Sequence, residues 1–208
     1  MLHSAGQTNL RSANARVKIA RSFYEQNTLE VARQLLGKYL VRQHAAGTTI
    51  GRIVEAEAYI GPDDKACHAS RGRTPRTDVM FGQAGHAYVY LIYGFHYMLN
   101  IVTEDIGLPA AVLIRAVEPS EGIALMQSRR GSQQLRRLAS GPGKLCQAFG
   151  IDRTLNAADL CGDVIYLEDR GGPAPKVVTT PRIGVEYAGK WKHKPWRFLV
   201  RDSEFVSK

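Results

Sequence analysis

At 208 residues the chain has the size of one generous domain, able to bury about 70% of its extended surface. Its longest apolar runs, such as YVYLIYGF, are far too short to cross a bilayer. Three widely spaced cysteines with no C-x-x-C pair argue against a disulfide framework and a structural zinc site, and the formal charge of +9 points toward a polyanionic partner.

Residues 1–24 carry Arg11, Arg16, Lys18 and Arg21 without an acid and lack the basic-then-apolar order of a secretory signal. They are expected to form a flexible basic arm, an organelle-targeting segment being the alternative, ahead of a single domain over residues 25–208. TLEVARQLLGKYLV spaces Leu29, Ala32, Leu35 and Leu36 as one face of a helix, with Thr28 as the expected N-cap and Gly37 as the stop. TTIGRIVEAEAYIG alternates as a strand, Val54, Ala56 and Ala58 on one face and Ile53, Glu55, Glu57 and Tyr59 on the other. GPDD is turn chemistry. AYVYLIYGFHYMLNIV reads as a hairpin bending at Gly94. AAVLIRAVEP is a central strand ended by Pro119, SEGIALMQSRR a helix opening at Ser120, and GPGKLCQAFGI a second helix. DVIYLEDR and WRFLVR are late strands. Strands outnumber helices, which predicts an α+β fold: a mixed, curved, largely antiparallel sheet flanked by helices, with a protruding β-hairpin.

The spacing i, i+2 puts Glu57 and Tyr59 on one face of their strand, about 7 Å apart along it. An ordinary solvated face satisfies the alternation. A cleft wall also satisfies it, and accounts for Ile53 and Tyr59 on the same side as the two acids. In the hairpin, Tyr88 and Tyr90 share a face with Ile92, while Tyr93 falls at the tip. A tyrosine-rich sheet core without a ligand is one reading. The other is an aromatic pocket beside a wedge that enters a base stack.

The basic residues cluster. Residues 122–151 hold Arg129, Arg130, Arg136, Arg137 and Lys144 with no acid, residues 182–201 hold six basic residues against Glu186, and SRGRTPRT gathers Arg71, Arg73 and Arg76. A solvated surface explains any one run. Several together fit a nucleic-acid face, and no stretch pairs a basic side with a strongly apolar one as a membrane-surface helix does.

In order along the chain, RIVEAEAYIGPDDKACH, RTPRTDVMFG, AYVYLIYGFHYMLNIV, AAVLIRAVEPSEG and SGPGKLCQAFGI resemble the alkyladenine (3-methyladenine) DNA glycosylase family, a likeness running from about Leu29 through RIGVEYAGKWKHKPWRFLVR. The resemblance implies a monofunctional, water-using enzyme of base excision repair. It would act as a monomer on double-stranded DNA containing damaged purines, with no cofactor and no metal. Glu57 matches the general base and Arg115 the arginine that helps hold the attacking water, with the main-chain carbonyl of Ile183 completing that water's site. Tyr59 and Tyr90 match the walls around a flipped base, His68 the histidine beside it, and Asn100 the residue that crowds the exocyclic amine of normal guanine. Tyr93 matches the intercalating wedge. Arg71, Arg73, Thr74, Arg76 and Lys144 are the candidate backbone contacts; about five neutralised phosphates give a log–log salt slope near −4.5. Cys67 departs from the small residue expected before His68, and its thiol either packs or is open to oxidation. Location follows the host: cytoplasmic and nucleoid-associated in a bacterium, nuclear or organellar in a eukaryote. A non-catalytic module for distorted duplexes and an RNA-binding domain are the competing readings.

Overall fold

One strand organises the molecule. β3 (Gly47–Ile60) has partners on both edges, so its backbone groups are satisfied on each side. β6 (Ala110–Glu121) lies along one edge; the other is shared between β2 (Tyr39–His44), opposite the first half, and β9 (Arg197–Val200), opposite Glu55 to Glu57. Outward from β6 come β5 (His96–Thr103) and β4 (Ala87–Ile92), the two arms of the expected hairpin. Outward from β2 come β7 (Ile165–Asp169) and β1 (Val17–Lys18), while β8 (Val177–Thr180) pairs with β9. Every one of these pairs is antiparallel. The computed structural model describes residues 16–207.

The sequence places the start of the fold too late. Val17 and Lys18 pair with Asp169 and Glu168. The short helix α1 (Arg21–Tyr24) buries Tyr24 completely, and Arg21 is tied to Asp159 at 2.7 Å. These contacts, with the Arg16–Glu121 pair at 3.0 Å, make residues 16–24 part of the folded body; the remainder of the expected arm, residues 1–15, lies outside the described residues.

Helix α2 (Thr28–Gln34) forms where its apolar spacing predicts, but Asn27 is the N-cap, its side chain accepting from the Leu29 N–H at 3.1 Å. Thr28 lies one residue inside, fully buried, with its hydroxyl bonded to Thr103 at 2.9 Å and to Glu104. β6 does not stop at Pro119. The register passes from Ile50↔Glu121 to Gly51↔Pro119, leaving Ser120 unpaired, and such an irregularity is where a strand tolerates proline. Ser120 donates to the Ile50 carbonyl instead of opening a helix. α3 (Ile123–Arg130) begins after Gly122, whose left-handed backbone (φ 72°) makes the corner. α4 (Pro142–Phe149) has Pro142 in its first turn and Gly150 (φ 56°) beyond its end, the usual pairing of these breakers.

The alternation of the strands divides the apolar residues into two clusters. Ile53, Ala56, Ala58, Leu99, Ile101, Ile114 and Val117 meet Val31 and Ala32 of α2 and Leu145 and Phe149 of α4 in the main core. On the opposite face Tyr88, Val102 and Ala111 meet Cys67, Ala69 and Met80, with Tyr59 and Tyr90 packed at the margin.

Candidate active site

The middle of β3 is not a regular ladder. Between the pairs Ile53↔Val117 and Glu55↔Ala116, Val54 has no partner; between Glu55↔Ala116 and Ala56↔Ile114, Arg115 has none. Each strand thus carries one extra residue, and the register resumes beyond with both strands turned over. That turn explains a failed expectation: Ile53 lies in the main core with Ala56 and Ala58, not on the face of the glutamates. Arg115, two residues beyond Leu113 and four beyond Ala111 on β6, keeps their face and so lies on the same side as Glu55, Glu57 and Tyr59.

Neither glutamate is exposed, so the solvated-face reading fails as well. Glu57 accepts from three donors: the Tyr59 hydroxyl at 2.8 Å, the Ile183 N–H at 2.8 Å and an Arg115 terminal nitrogen at 3.2 Å. The link to Ile183 runs through its amide N–H, whereas the sequence reading assigned a role to its carbonyl. Glu55 accepts from Arg115 Nε at 2.8 Å, Arg197 Nε at 2.7 Å, and the N–H and hydroxyl of Ser207 at 2.5 and 2.7 Å. Two carboxylates therefore meet two guanidiniums in a buried, hydrogen-bonded group, which is the condition under which charge is tolerated in an interior. Burial alone pushes Arg115 toward losing its proton; Glu57 and Glu55 reverse this and hold it above its ordinary range.

The two acids differ in what lies beyond them. Tyr59, Arg115 and Ile183, the three partners of Glu57, all border a cleft of about 450 Å³, within the range of small-molecule sites. Glu55 has Arg197 and Ser207 behind it. Glu57, itself fully buried, thus touches the lining of the cleft through all three of its partners, and Glu55 through Arg115 alone.

Tyrosines shape the cleft. Tyr59 and Tyr90 both line it, along with Tyr88, His68, Asn100 and Tyr187. His68 enters on a short 3-10 turn (His68–Arg71); its Nδ1 lies 3.0 Å from the Tyr88 hydroxyl and its ring meets Tyr90 edge-on at 4.5 Å. Burial, followed by the nearby Arg76 and Arg71 charges, lowers the pKa of His68 to about 4, so the imidazole is neutral at neutral pH. Asn100 is nearly buried and donates to the Tyr88 carbonyl at 3.1 Å, which fixes its amide against the cleft floor.

Each wall is backed by a guanidinium. Arg182 lies over Tyr59 at 4.7 Å and is itself neutralised by Asp64, both side chains being fully buried. Arg76 lies over Tyr90 at 5.0 Å and is exposed. Cys67 lines the same cleft, but burial pushes its thiol up to about 12, and a protonated thiol of this kind is inert packing.

Tyr93 stands at the hairpin tip, 78% exposed beside the 68% exposed Phe95. Its backbone is left-handed (φ 53°), as is that of Gly94 (φ 78°), a turn that matches strand twist at a cost for any residue with a side chain. Of the remaining expected contacts, Arg71, Arg73, Thr74, Arg76 and Lys144 are all exposed. Arg73 is bridged to Asp78 at 2.6 Å, and Thr74 is held by Thr77. Lys144 lies in the first turn of α4, two residues from Pro142 on the cleft rim.

Sequence reasoning gave no role to Tyr88, Tyr187, Asp64, Arg182 or Ser207. Tyr88 was within reach, since it shares the face of Tyr90. The others come from distant segments with no local signature. A somewhat larger groove, about 520 Å³, lies between α2 and residues 171–175; the charged groups lining it are Glu30, Arg33 and the ion pair Lys38–Asp169.

A family model described as methylpurine-DNA glycosylase matches residues 22–204. Three curated relatives each bear the name "Putative 3-methyladenine DNA glycosylase". That of Methanocella arvoryzae is 59% identical over 193 residues, covering 91% of this chain and 96% of its own length. That of Myxococcus xanthus is 50% identical over 192 residues, covering 91% and 93%. That of Desulfitobacterium hafniense is 46% identical over 199 residues, covering 91% and 98%.

Proposed function

Since the chain belongs to the methylpurine-DNA glycosylase family, and is therefore a DNA glycosylase that hydrolyses N-glycosyl bonds, we propose that it excises alkylated purines such as 3-methyladenine and 7-methylguanine from duplex DNA with a water activated by Glu57. Hypoxanthine and ethenoadenine are further candidate substrates. The observation that carries this reading is a shared residue: Tyr59 both forms a wall of the aromatic cleft and donates its hydroxyl to Glu57. A ring held against Tyr59 is a ring held next to that carboxylate.

On this reading the damaged nucleotide turns out of the helix and its base slides between Tyr59 and Tyr90, edge-on to the neutral His68. Stacking on an aromatic side chain contributes about 1–3 kcal/mol per base, enough to offset much of the few kcal/mol lost on unstacking. Tyr93 fills the space left in the duplex. Glu57 takes a proton from water entering beside Arg115; the oxygen bonds to the anomeric carbon, and the glycosidic electron pair leaves with the base. A purine alkylated at N3 or N7 is already cationic, so it departs neutral and needs no further proton. The same carboxylate faces the positive charge that develops on the sugar. Asn100 crowds the amine of an intact guanine. Arg71, Arg73, Thr74, Arg76 and Lys144 supply phosphate contacts, with one copy of the chain acting on chromosomal DNA, in the cytoplasm if the host is a bacterium.

A single-turnover panel of duplexes with methylated, deaminated and etheno purines tests the reading, scored by release of free base. Release of the methylated purines with hydrolytic kinetics and no strand cleavage is the expected result. An intact panel, or cleavage through a trapped imine, would overturn it.

A further inference from the structure

Each nitrogen of the Arg115 side chain has its own partner: Nε donates to Glu55 at 2.8 Å, one terminal nitrogen to Glu57 at 3.2 Å and the other to the hydroxyl of Ser207 at 3.2 Å. Ser207 belongs to the stretch that folds back after β9, beyond residue 204 where the family match ends. It is nearly buried. Its hydroxyl donates to one Glu55 oxygen at 2.7 Å, its N–H donates to the other at 2.5 Å, and its carbonyl accepts from Arg197 at 3.3 Å. The hydroxyl therefore uses both capacities at once, accepting from the arginine and donating to the acid behind it.

A guanidinium is planar and rigid, so fixing two of its nitrogens fixes the direction of the third. Glu55 and Ser207 are the two fixed points, and the third direction is toward Glu57. Without the hydroxyl, the neighbouring terminal nitrogen has no acceptor except Glu55, and side-on pairing of an arginine with one carboxylate is the favoured geometry. The guanidinium then turns onto Glu55 and withdraws from Glu57.

We infer that Ser207 is a positioning residue for hydrolysis, its hydroxyl holding Arg115 in front of Glu57 and the attacking water. The inference rests on the reading of Glu57 as the general base. It concerns the chemical step and not the grip on DNA, because Ser207 does not line the cleft.

Three proteins test it: wild type, Ser207→Ala and Ser207→Thr, each assayed for single-turnover excision of 7-methylguanine, for affinity toward a duplex with an abasic-site analogue, and for thermal midpoint. Ser207→Ala is expected to excise roughly tenfold more slowly, the worth of one hydrogen bond to a charged group, with affinity changed by less than about twofold. Ser207→Thr, which keeps the hydroxyl, is expected to recover most of the rate. An alanine variant as fast as wild type overturns the inference. So does a parallel loss of rate, affinity and midpoint that threonine fails to repair, since that describes a serine needed only for folding. A wild-type protein that releases no base overturns the excision reading itself, a different result from an active wild type indifferent to the alanine.

Discussion

Glu57→Gln is the most direct perturbation because it keeps the shape of the side chain and removes its charge. The three donors around Glu57 decide how a glutamine sits. If its oxygen faces the Ile183 N–H, its amide nitrogen meets the Tyr59 hydroxyl, which can reverse and accept, and an Arg115 nitrogen, which cannot. If it is flipped, the amide nitrogen opposes the Ile183 N–H. One donor–donor conflict remains either way. Breaking a buried ion pair commonly costs 3–5 kcal/mol when the partner is left uncompensated; here Arg115 keeps Glu55 at 2.8 Å, so the expected loss of stability is smaller, about 1–2 kcal/mol. The kinetic loss is larger. Removing a general base lowers a rate by about 10²–10⁴, or roughly 3–5 kcal/mol of barrier. The assay is single-turnover release of 7-methylguanine from duplex DNA, with binding to an abasic-analogue duplex and a thermal melt on the same preparation. Excision should fall about a thousandfold while binding holds within a few fold. Excision within about threefold of wild type, in a variant that still folds and binds, would falsify the assignment of Glu57.

Tyr93→Ser removes an exposed ring from the hairpin tip, and the stacking it forfeits, about 1–3 kcal/mol, should slow excision of a base-paired lesion while a mismatched one is spared; equal losses on both substrates would count against a wedge. His68 titrates near 4 in the fold against about 6.5 in the unfolded chain, so between those values the unfolded chain binds the extra proton. Native stability is therefore full above about pH 6.5 and falls as pH drops toward 4, by at most ~3 kcal/mol before solvent screening trims it. Melts of wild type and His68→Gln across pH 4–7 should diverge on the acid side, and parallel curves would refute the assignment. Arg76→Gln removes the exposed positive charge behind Tyr90. It should weaken DNA binding generally yet raise the ratio of cationic 7-methylguanine to neutral hypoxanthine excision by about 3- to 10-fold; an unchanged ratio would leave Arg76 as a phosphate contact alone.

Much of the candidate site was legible because its residues lie on alternating strands. The i, i+2 spacing alone puts Glu57 beside Tyr59 and Tyr90 beside Tyr88, and the Gly94 bend places Tyr93 outermost. The resemblance of the motif blocks supplied Arg115, His68 and Asn100. Alternation misled where the ladder breaks. Ile53 has the parity of the glutamates but, past an extra residue, the opposite face, and nothing in RIVEAEAY marks Val54 as that residue. Local propensity also missed capping and proline effects settled by neighbours: Asn27 outcompetes Thr28 because the threonine hydroxyl is engaged by Thr103 and Glu104, and Pro119 continues its strand because Ser120 absorbs the irregularity. Asp64 was read only as a turn residue, whereas it is the counter-charge of an arginine 118 positions away. Such pairs have no sequence periodicity to betray them.

The two surplus residues in the β3–β6 ladder have a consequence for how this sequence tolerates loss. Dropping Val54 alone, or Arg115 alone, leaves one strand a residue longer than its mate and slides everything downstream out of step. Dropping both restores an even count and a smoother sheet and leaves Glu55 and Glu57 on their present face, yet deletes the cation between the carboxylates. The double deletion is thus gentler to architecture than either single one, and it still strips two buried acids of the cation they share.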